Sequence, residues 1–153
     1  AFAKAQVRLD VPLCYNGDIV SVQALETVQK ELGAELEHIM LGRGLVADPN
    51  LIRRLSGLPC VDKDTYGAFM ETLLSDYSTK MSGGERVTLY KMKEIWVYLG
   101  NSFTNPQRYL KKIKKSERVA DYEAAVHALL REQELVGAGE ATPFAPEAPG
   151  KSR

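Results

Sequence analysis

The sequence predicts an α/β chain in two parts: the terminal βαβα part of a TIM barrel, followed by an all-α helical domain that makes the chain mostly helical by residue count. Two observations predict the first part. Short apolar runs at residues 12–15 and 39–41 each end in a glycine turn and lead into a helix, which is typical of consecutive β/α units. A third observation predicts the second part, because beyond Pro59 the apolar residues recur only at helical spacing.

The first β/α unit begins after the end of a helix at residues 1–7, with a predicted strand over residues 11–15. Ser21 is a suitable N-cap for a helix that continues through Leu32, where Gly33 stops it. The second strand is predicted over residues 38–41. We expect Asp48 to cap the following helix, with Pro49 at its first position and Gly57 at its end.

The helical part begins with Asp62, a predicted cap for a helix to about Thr79. A capping box at residues 82–85 predicts the longest helix, to about Ser102, with Trp96 on its apolar face. Asn105 and Pro106 predict a helix over residues 107–115, and the last helix is expected to start at Ser116 or Asp121. We therefore predict a partial barrel at 1–58, a helical domain at 59–135 and a disordered tail at 136–153, rich in Gly, Ala, Pro and Glu.

The two glycine turns are the predicted binding feature of the first part. Because parallel strands end at the same edge of a sheet, both turns would offer backbone N–H groups to one anion. This is the phosphate-binding arrangement found after the last two strands of a (β/α)8 barrel. The candidate residues are Asn16, Gly17, Asp18, Gly42 and Arg43. The alternative is two ordinary strand-to-helix turns, in which Asp18 only caps the next helix.

Zero net charge conceals a basic block in the middle of the chain. Residues 80–118 carry 10 basic and 3 acidic side chains, a net charge of +7. Such a block predicts contacts with the phosphate backbone of a nucleic acid. The candidate residues are Arg86, Lys91, Lys93, Lys111, Lys112, Lys114 and Lys115. The alternative is a solvated face with cations that are favourable at a helix C-terminus.

Other function classes find little support in the sequence. No apolar run approaches the roughly 18 residues of a membrane span, so we expect no membrane partner. Cys14 and Cys60 share no metal or redox spacing, which predicts no metal site, a reduced cytoplasmic setting and two buried small apolar side chains. His38 and His127 are expected to be structural.

Two β/α units do not make a closed fold. A barrel needs eight strands and about 250 residues, and a two-stranded parallel sheet leaves both edges unpaired. We expect this chain, which begins at Ala1 rather than Met, to be the end of a longer polypeptide. The alternative is a small open layer whose sheet is shielded by helices.

The segments that surround both turns, residues 11–19 and 38–51, resemble the end of the barrel of tRNA-dihydrouridine synthases, with Asp48 where that family commonly has Asn. The basic stretch 91–115 is similar to the family's C-terminal helical domain, and the resemblance covers roughly residues 5–132. It implies an oxidoreductase in which NADPH reduces FMN and the flavin reduces a flipped-out uridine of tRNA. The FMN phosphate would lie against the five turn residues, with Arg43 as a charged fork.

The resemblance also implies what this chain lacks. The first six β/α units of the family are absent, and neither Cys14 nor Cys60 corresponds to its catalytic cysteine, so we expect no catalytic residue here and no activity from this chain alone. Two alternatives stay open at this stage. One is a non-catalytic helical RNA-binding module; the other is the end of a different FMN-binding barrel oxidoreductase whose helices pack against a partner.

Overall fold

The computed structural model describes residues 2–136, so residues 137–153 of the predicted tail lie outside the described residues. This part of the chain is mostly helical with one small parallel sheet, as predicted. The first elements are α1 (Phe2–Arg8), β1 (Cys14–Tyr15), α2 (Val22–Leu32), β2 (His38–Ile39), α3 (Arg43–Ala47) and α4 (Leu51–Leu55). They are followed by α5 (Lys63–Lys80), α6 (Gly84–Leu99), a 3-10 turn (Gly100–Ser102), α7 (Gln107–Lys115) and α8 (Val119–Glu132).

The sheet is parallel, with Cys14 opposite His38 and Tyr15 opposite Ile39. Both strands have two residues, so the predicted lengths over 11–15 and 38–41 are wrong. Pro12 has no N–H for a ladder, and no third strand is paired within residues 2–136 to extend it. Cys14 and Cys60 are both exposed, which corrects the prediction that they are buried.

Local capping chemistry sets several helix ends as predicted. The Ser21 hydroxyl accepts from the Ala24 N–H at 3.1 Å, and Gly33 ends α2 with a left-handed φ of 66°. The Asp62 carboxylate accepts from the Thr65 N–H at 2.8 Å and caps α5, which lowers the pKa of Asp62.

Asp48 accepts from the Asn50 N–H at 2.9 Å. However, α4 begins only at Leu51, so Pro49 precedes the helix instead of opening it.

Two predicted helix starts are corrected. The capping box before α6 does not form, because the N-cap is Gly83 with φ 128° and no side chain bonds to it. Glu85 instead accepts from the Val119 N–H, the first residue of α8, and so caps a different helix. That helix starts between the two predicted positions. Asn105 has a φ of 44° and provides no side-chain cap for α7.

One hydrophobic core lies among α5, α6, α7 and α8. Trp96 is at its centre, as predicted, with 2% exposure and its indole N–H donating to the Tyr122 hydroxyl at 2.7 Å. Phe69 on α5 and Tyr90 on α6 are aromatic residues at helical spacing, yet they are 48% and 69% exposed. The helices bury a narrower stripe than the sequence pattern suggests.

Polar contacts join the sheet region to the helices. The Ser102 hydroxyl donates to the Ala47 carbonyl at 2.6 Å, and the Val61 N–H donates to the Asn50 side chain at 2.8 Å. Arg54 pairs with Asp48 and also donates to the Val136 carbonyl, 82 positions along the chain. These buried and partly buried bonds hold α3 and α4 against the helical core.

Candidate functional site

The two glycine turns lie against each other. Both strands run in the same direction, so both turns follow from the same edge of the sheet. A Cβ added at Gly44, at the start of α3, would lie 2.4 Å from the carbonyl oxygen of Ile19 and 3.2 Å from the Cα of Val20. Ile19 is buried, so this contact cannot easily relax. Gly44 therefore allows the backbones of the two turns to touch.

An ion pair closes the contact between the turns. The Arg43 guanidinium donates to the Asp18 carboxylate at 2.5 Å, and the two side chains are 53% and 74% exposed. Asp18 does not cap α2, because Ser21 does so. This overturns the reading of Asp18 as a simple helix cap. Its carboxylate holds Arg43 at the opening between the two turns, which we call the mouth.

The backbone amides of the five predicted residues are available to a ligand. None of the N–H groups of Asn16, Gly17, Asp18, Gly42 and Arg43 donates to an acceptor within residues 2–136. Nothing lies within 4 Å of a Cβ built on Gly42, so open space faces that turn. The Tyr15 ring, by contrast, lies over Gly17 and partly covers the first turn.

The donor set fits the phosphate end of a nucleotide-type cofactor. Amide N–H groups and a guanidinium are the groups that bind phosphate oxygens. Arg43 uses one nitrogen for Asp18, and its other N–H groups have no partner among the described residues. The mouth between the turns can therefore hold an anion without first breaking the Asp18 pair.

A row of cations lies on one face of α7. Arg108, Lys111, Lys112 and Lys115 follow the i, i+3, i+4, i+7 spacing of a helix face, and we call them the α7 stripe. All four side chains are exposed. Lys111, Lys112 and Lys115 form no ion pair with any described residue. Arg108 was not predicted as a site residue, although its spacing to the lysines was the signal that could have identified it.

The other predicted cations have different surroundings. Lys93 donates to the Ser116 carbonyl at the end of α7. Lys91 forms an i,i+3 pair with Glu94 at 3.1 Å, and the hydrogen bond to Glu94 raises the pKa of Lys91. Arg86 and Lys114 are exposed and lie outside the α7 stripe. The fold thus brings together only three of the seven predicted basic residues and adds Arg108.

The α7 stripe forms one wall of a groove of ≈ 630 Å³ between α7 and α8, which we call the α7–α8 groove. Its floor consists of three alanines, Ala124, Ala125 and Ala128. Asp121 lies at one end, where it pairs with Arg118 at 3.2 Å. The groove therefore combines a cationic wall with an apolar floor.

The Arg108 end of the groove is held by a hydrogen-bonded cluster. Arg108 lies over the Tyr109 ring, 4.5 Å from its centroid, and pairs with Glu132 at 2.5 Å. The buried Tyr109 donates its hydroxyl to the same carboxylate at 2.7 Å. The bond from Tyr109, followed by the bond from Arg131, lowers the pKa of Glu132. Part of the charge of Arg108 is thus already compensated.

The described chain, residues 2–136, has no visible metal centre. No group of three or more His, Cys, Asp or Glu side chains in this range could hold a metal ion. The Tyr66 hydroxyl is buried with no hydrogen-bond partner among the described residues, and burial raises its pKa. His127 lies 3.5 Å from Glu71 on the surface. No described helix is long and apolar enough to cross a bilayer.

Comparison with known proteins gives one clear result. The family model of dihydrouridine synthase matches residues 3–138, which covers both turns, the α7 stripe and the whole helical core. The comparison with curated proteins gives no match.

Proposed function

Because the chain belongs to the dihydrouridine synthase family, whose general activity is the flavin-dependent reduction of uridine in tRNA, we propose that it forms the C-terminal part of such an enzyme. In this proposal the sheet region is the end of the barrel and holds the phosphate end of FMN. The helical part binds tRNA. The protein acts in the cytoplasm.

The observation that carries the proposal is the contact between the two turns. Gly44 brings their backbones together, and the Asp18–Arg43 pair joins them at the mouth. The amides of both turns donate to no acceptor in the described chain, so they are free to bind a ligand. An isolated turn would offer fewer backbone donors, so the pair of turns is better suited to a phosphate than either turn alone.

The residues of this chain bind and orient the cofactor. The amides of Asn16, Gly17, Asp18, Gly42 and Arg43 would hold the phosphate oxygens, and Arg43 would add a charge-assisted bond. The chemistry that a bound flavin supplies is hydride transfer to the uracil ring, with NADPH as the reductant. Asp18 already holds Arg43 between the turns. The Arg43 guanidinium therefore loses little conformational freedom when the phosphate binds.

The remaining machinery belongs to another part of the barrel. Val11 and Met40, close to the strands in sequence, are 59% and 54% exposed, and the two strands have no other partner in residues 2–136. Such apolar side chains and strand edges suit further β/α units. We assign no catalytic residue to the described chain, and alone it is inactive.

The tRNA-binding role rests on the α7 stripe. Lys111, Lys112 and Lys115 project from one helix face without a carboxylate partner among the described residues. Unpaired cations in a row neutralise successive phosphates and release counterions, which gives affinity without sequence readout. Arg86 and Lys114 can add contacts at the edge, whereas Lys91 and Lys93 are already bonded within the fold.

A second candidate function is a non-catalytic RNA-binding module. It is favoured by the position of the core, which lies among α5, α6, α7 and α8 and includes no residue of the sheet. The helical part could then bind RNA whether or not the turns hold a cofactor.

A titration with FMN separates the two candidates. Amide signals of ¹⁵N-labelled protein are followed as FMN, inorganic phosphate or riboflavin is added, because riboflavin has the same rings but no phosphate. The cofactor proposal predicts saturable shifts of Gly17, Asp18, Gly42 and Arg43 with FMN and phosphate, and none with riboflavin. Arg43→Gln should weaken both effects, whereas Arg53→Gln serves as a control outside the turns.

The opposite results are equally clear. Equal shifts with riboflavin would show that the turns do not bind the phosphate of FMN. No shift of the turn amides at millimolar FMN would leave the RNA-binding module as the better account.

A further inference from the structure

We propose that the α7–α8 groove holds one unpaired nucleotide of the bound RNA, with its base on the alanine floor and its phosphates on the α7 stripe. This inference rests on the proposed RNA-binding function. It goes further, since a flat row of lysines would bind any polyanion equally.

The groove has a regular geometric origin. Asp121, Ala124, Ala125 and Ala128 follow the i, i+3, i+4, i+7 spacing on α8, as the stripe does on α7. Two facing helix stripes would normally interdigitate, but the α8 stripe has methyl groups where larger side chains would fill the space. The result is an open volume of ≈ 630 Å³, within the range of about 300–1,000 Å³ that is usual for small-ligand pockets.

The positive charges of the groove lie on its α7 side. Lys111, Lys112 and Lys115 have no carboxylate partner in the described chain, whereas Asp121 at one end of the groove is paired with Arg118. A ligand with phosphates on one side and an apolar, planar group on the other matches this arrangement. A nucleotide is such a ligand, since its base has an apolar face whatever its hydrogen-bonding edge.

Duplex RNA fits less well. Its bases are stacked inside the helix, so only phosphates and sugar edges would reach the groove, and the alanine floor would have no contact. The Ser116 hydroxyl, the uncharged polar side chain of the groove, already donates to the Ile113 carbonyl. With the cations bound to phosphates and Asp121 paired with Arg118, the lining side chains have little means to read base edges, so we expect the groove to accept any base.

The test replaces an alanine of the groove floor with a larger uncharged side chain, so the net charge of the protein stays the same. Ala124 is exposed on α8, and both Ala and Leu are good helix formers, so Ala124→Leu should fold normally. Ala68→Leu, at an exposed position on α5, is the matched control. A fluorescein-labelled eight-nucleotide RNA and the duplex of the same sequence are titrated with each protein, and anisotropy is measured. Ala124→Gln is the second filling variant, and melting curves confirm that all variants are folded.

We expect both Ala124 variants to weaken single-strand binding by about tenfold, the loss expected if about 55 Å² of apolar base surface can no longer be buried on the alanine floor. Duplex binding by these variants, and all binding by Ala68→Leu, should stay within about twofold of the wild type. Single-stranded RNAs of different base composition should bind alike.

Three results would overturn the inference. If the filled variants bind the single strand as well as the wild type does, the lysines act alone and the groove stays empty, although the proposed tRNA binding survives. If polyglutamate binds the wild type and Ala124→Leu weakens its affinity by the same factor as for the single strand, the groove fits an acidic peptide instead. If the wild type binds no RNA at low salt, the inference and the proposed RNA-binding function fail together.

Discussion

Replacing Arg54 with methionine tests how the sheet region is joined to the helical core. Arg54 pairs with Asp48 at 2.9 Å, and the two side chains are only 12% and 13% exposed. Arg54 also donates to the Val136 carbonyl at 2.9 Å. Methionine preserves most of the apolar volume of the arginine stem but removes both bonds. The Asp48 carboxylate would then be largely buried with no counter-charge.

The expected loss is large. Removing one partner of a buried ion pair typically costs about 3–5 kcal/mol, because the remaining charge stays desolvated. We expect the low end, about 3 kcal/mol, since Asp48 keeps its bond from the Asn50 N–H. With a urea slope of about 2 kcal/mol per molar, the unfolding midpoint should fall by about 1.5 M. Urea unfolding followed by circular dichroism measures this shift.

Two further variants distinguish the buried pair from a simple loss of charge. Asp48→Asn combined with Arg54→Met leaves no orphan carboxylate, so it should be more stable than Arg54→Met alone. Arg131→Met is the control, because Arg131 is 74% exposed and its ion pair contributes little. The reasoning is refuted if Arg54→Met and Arg131→Met lower the midpoint equally, or if the double variant is no better than the single one.

Three further predictions concern the core and the turns. Tyr122→Phe leaves the buried Trp96 N–H without its acceptor and should lower the free energy of unfolding by about 1–3 kcal/mol, measured by tryptophan fluorescence in urea; no change would mean that the bond contributes nothing. Burial raises the pKa of Tyr122 to about 12 from its ordinary 10.0, so the stability that its neutral form provides is complete below pH 10 and is lost as pH rises toward 12. The melting temperature of the wild type should fall over that range more steeply than that of Tyr122→Phe, and parallel curves would contradict this. Gly44→Ala should force the turns apart and lower stability by about 1–3 kcal/mol in urea unfolding, with new amide shifts at Asp18 and Arg43; an unchanged spectrum would show that the turns do not need the glycine.

Features with a local physical cause were predictable from the sequence. Ser21 and Asp62 cap helices because a short side chain can reach the N–H groups of the next turn, and no distant residue is needed. Trp96 was identified as core by its spacing along one helix face. The order of two β/α units followed by helices has the same origin in periodicity and turn residues.

Features that depend on distant partners were not predictable. Asp18 lies 25 positions from Arg43, and nothing in either turn distinguishes a cap from a partner in an ion pair. Glu85 is in the right position for a capping box, yet the fold brings the N-terminus of α8 close enough to take its carboxylate. The α7–α8 groove exists only because the alanines of one helix face the cations of another, which no single periodic stretch reveals.

The central claim, that the helical part binds the tRNA backbone through the α7 stripe, is tested most directly by salt dependence. The wild type is compared with Lys111→Gln/Lys112→Gln/Lys115→Gln in filter-binding titrations with tRNA between 50 and 200 mM salt. The control removes the same number of charges at exposed lysines outside the stripe, Lys4→Gln/Lys30→Gln/Lys80→Gln.

Each lost phosphate contact should reduce the slope of log affinity against log salt by about 0.7–0.9, so three should reduce it by about 2–2.7. Over this fourfold range of salt, the wild type should lose about 20- to 40-fold more affinity than the stripe variant, and the control should keep the wild-type slope. Equal slopes for the wild type and the stripe variant would contradict the account, since the tRNA would then be held elsewhere.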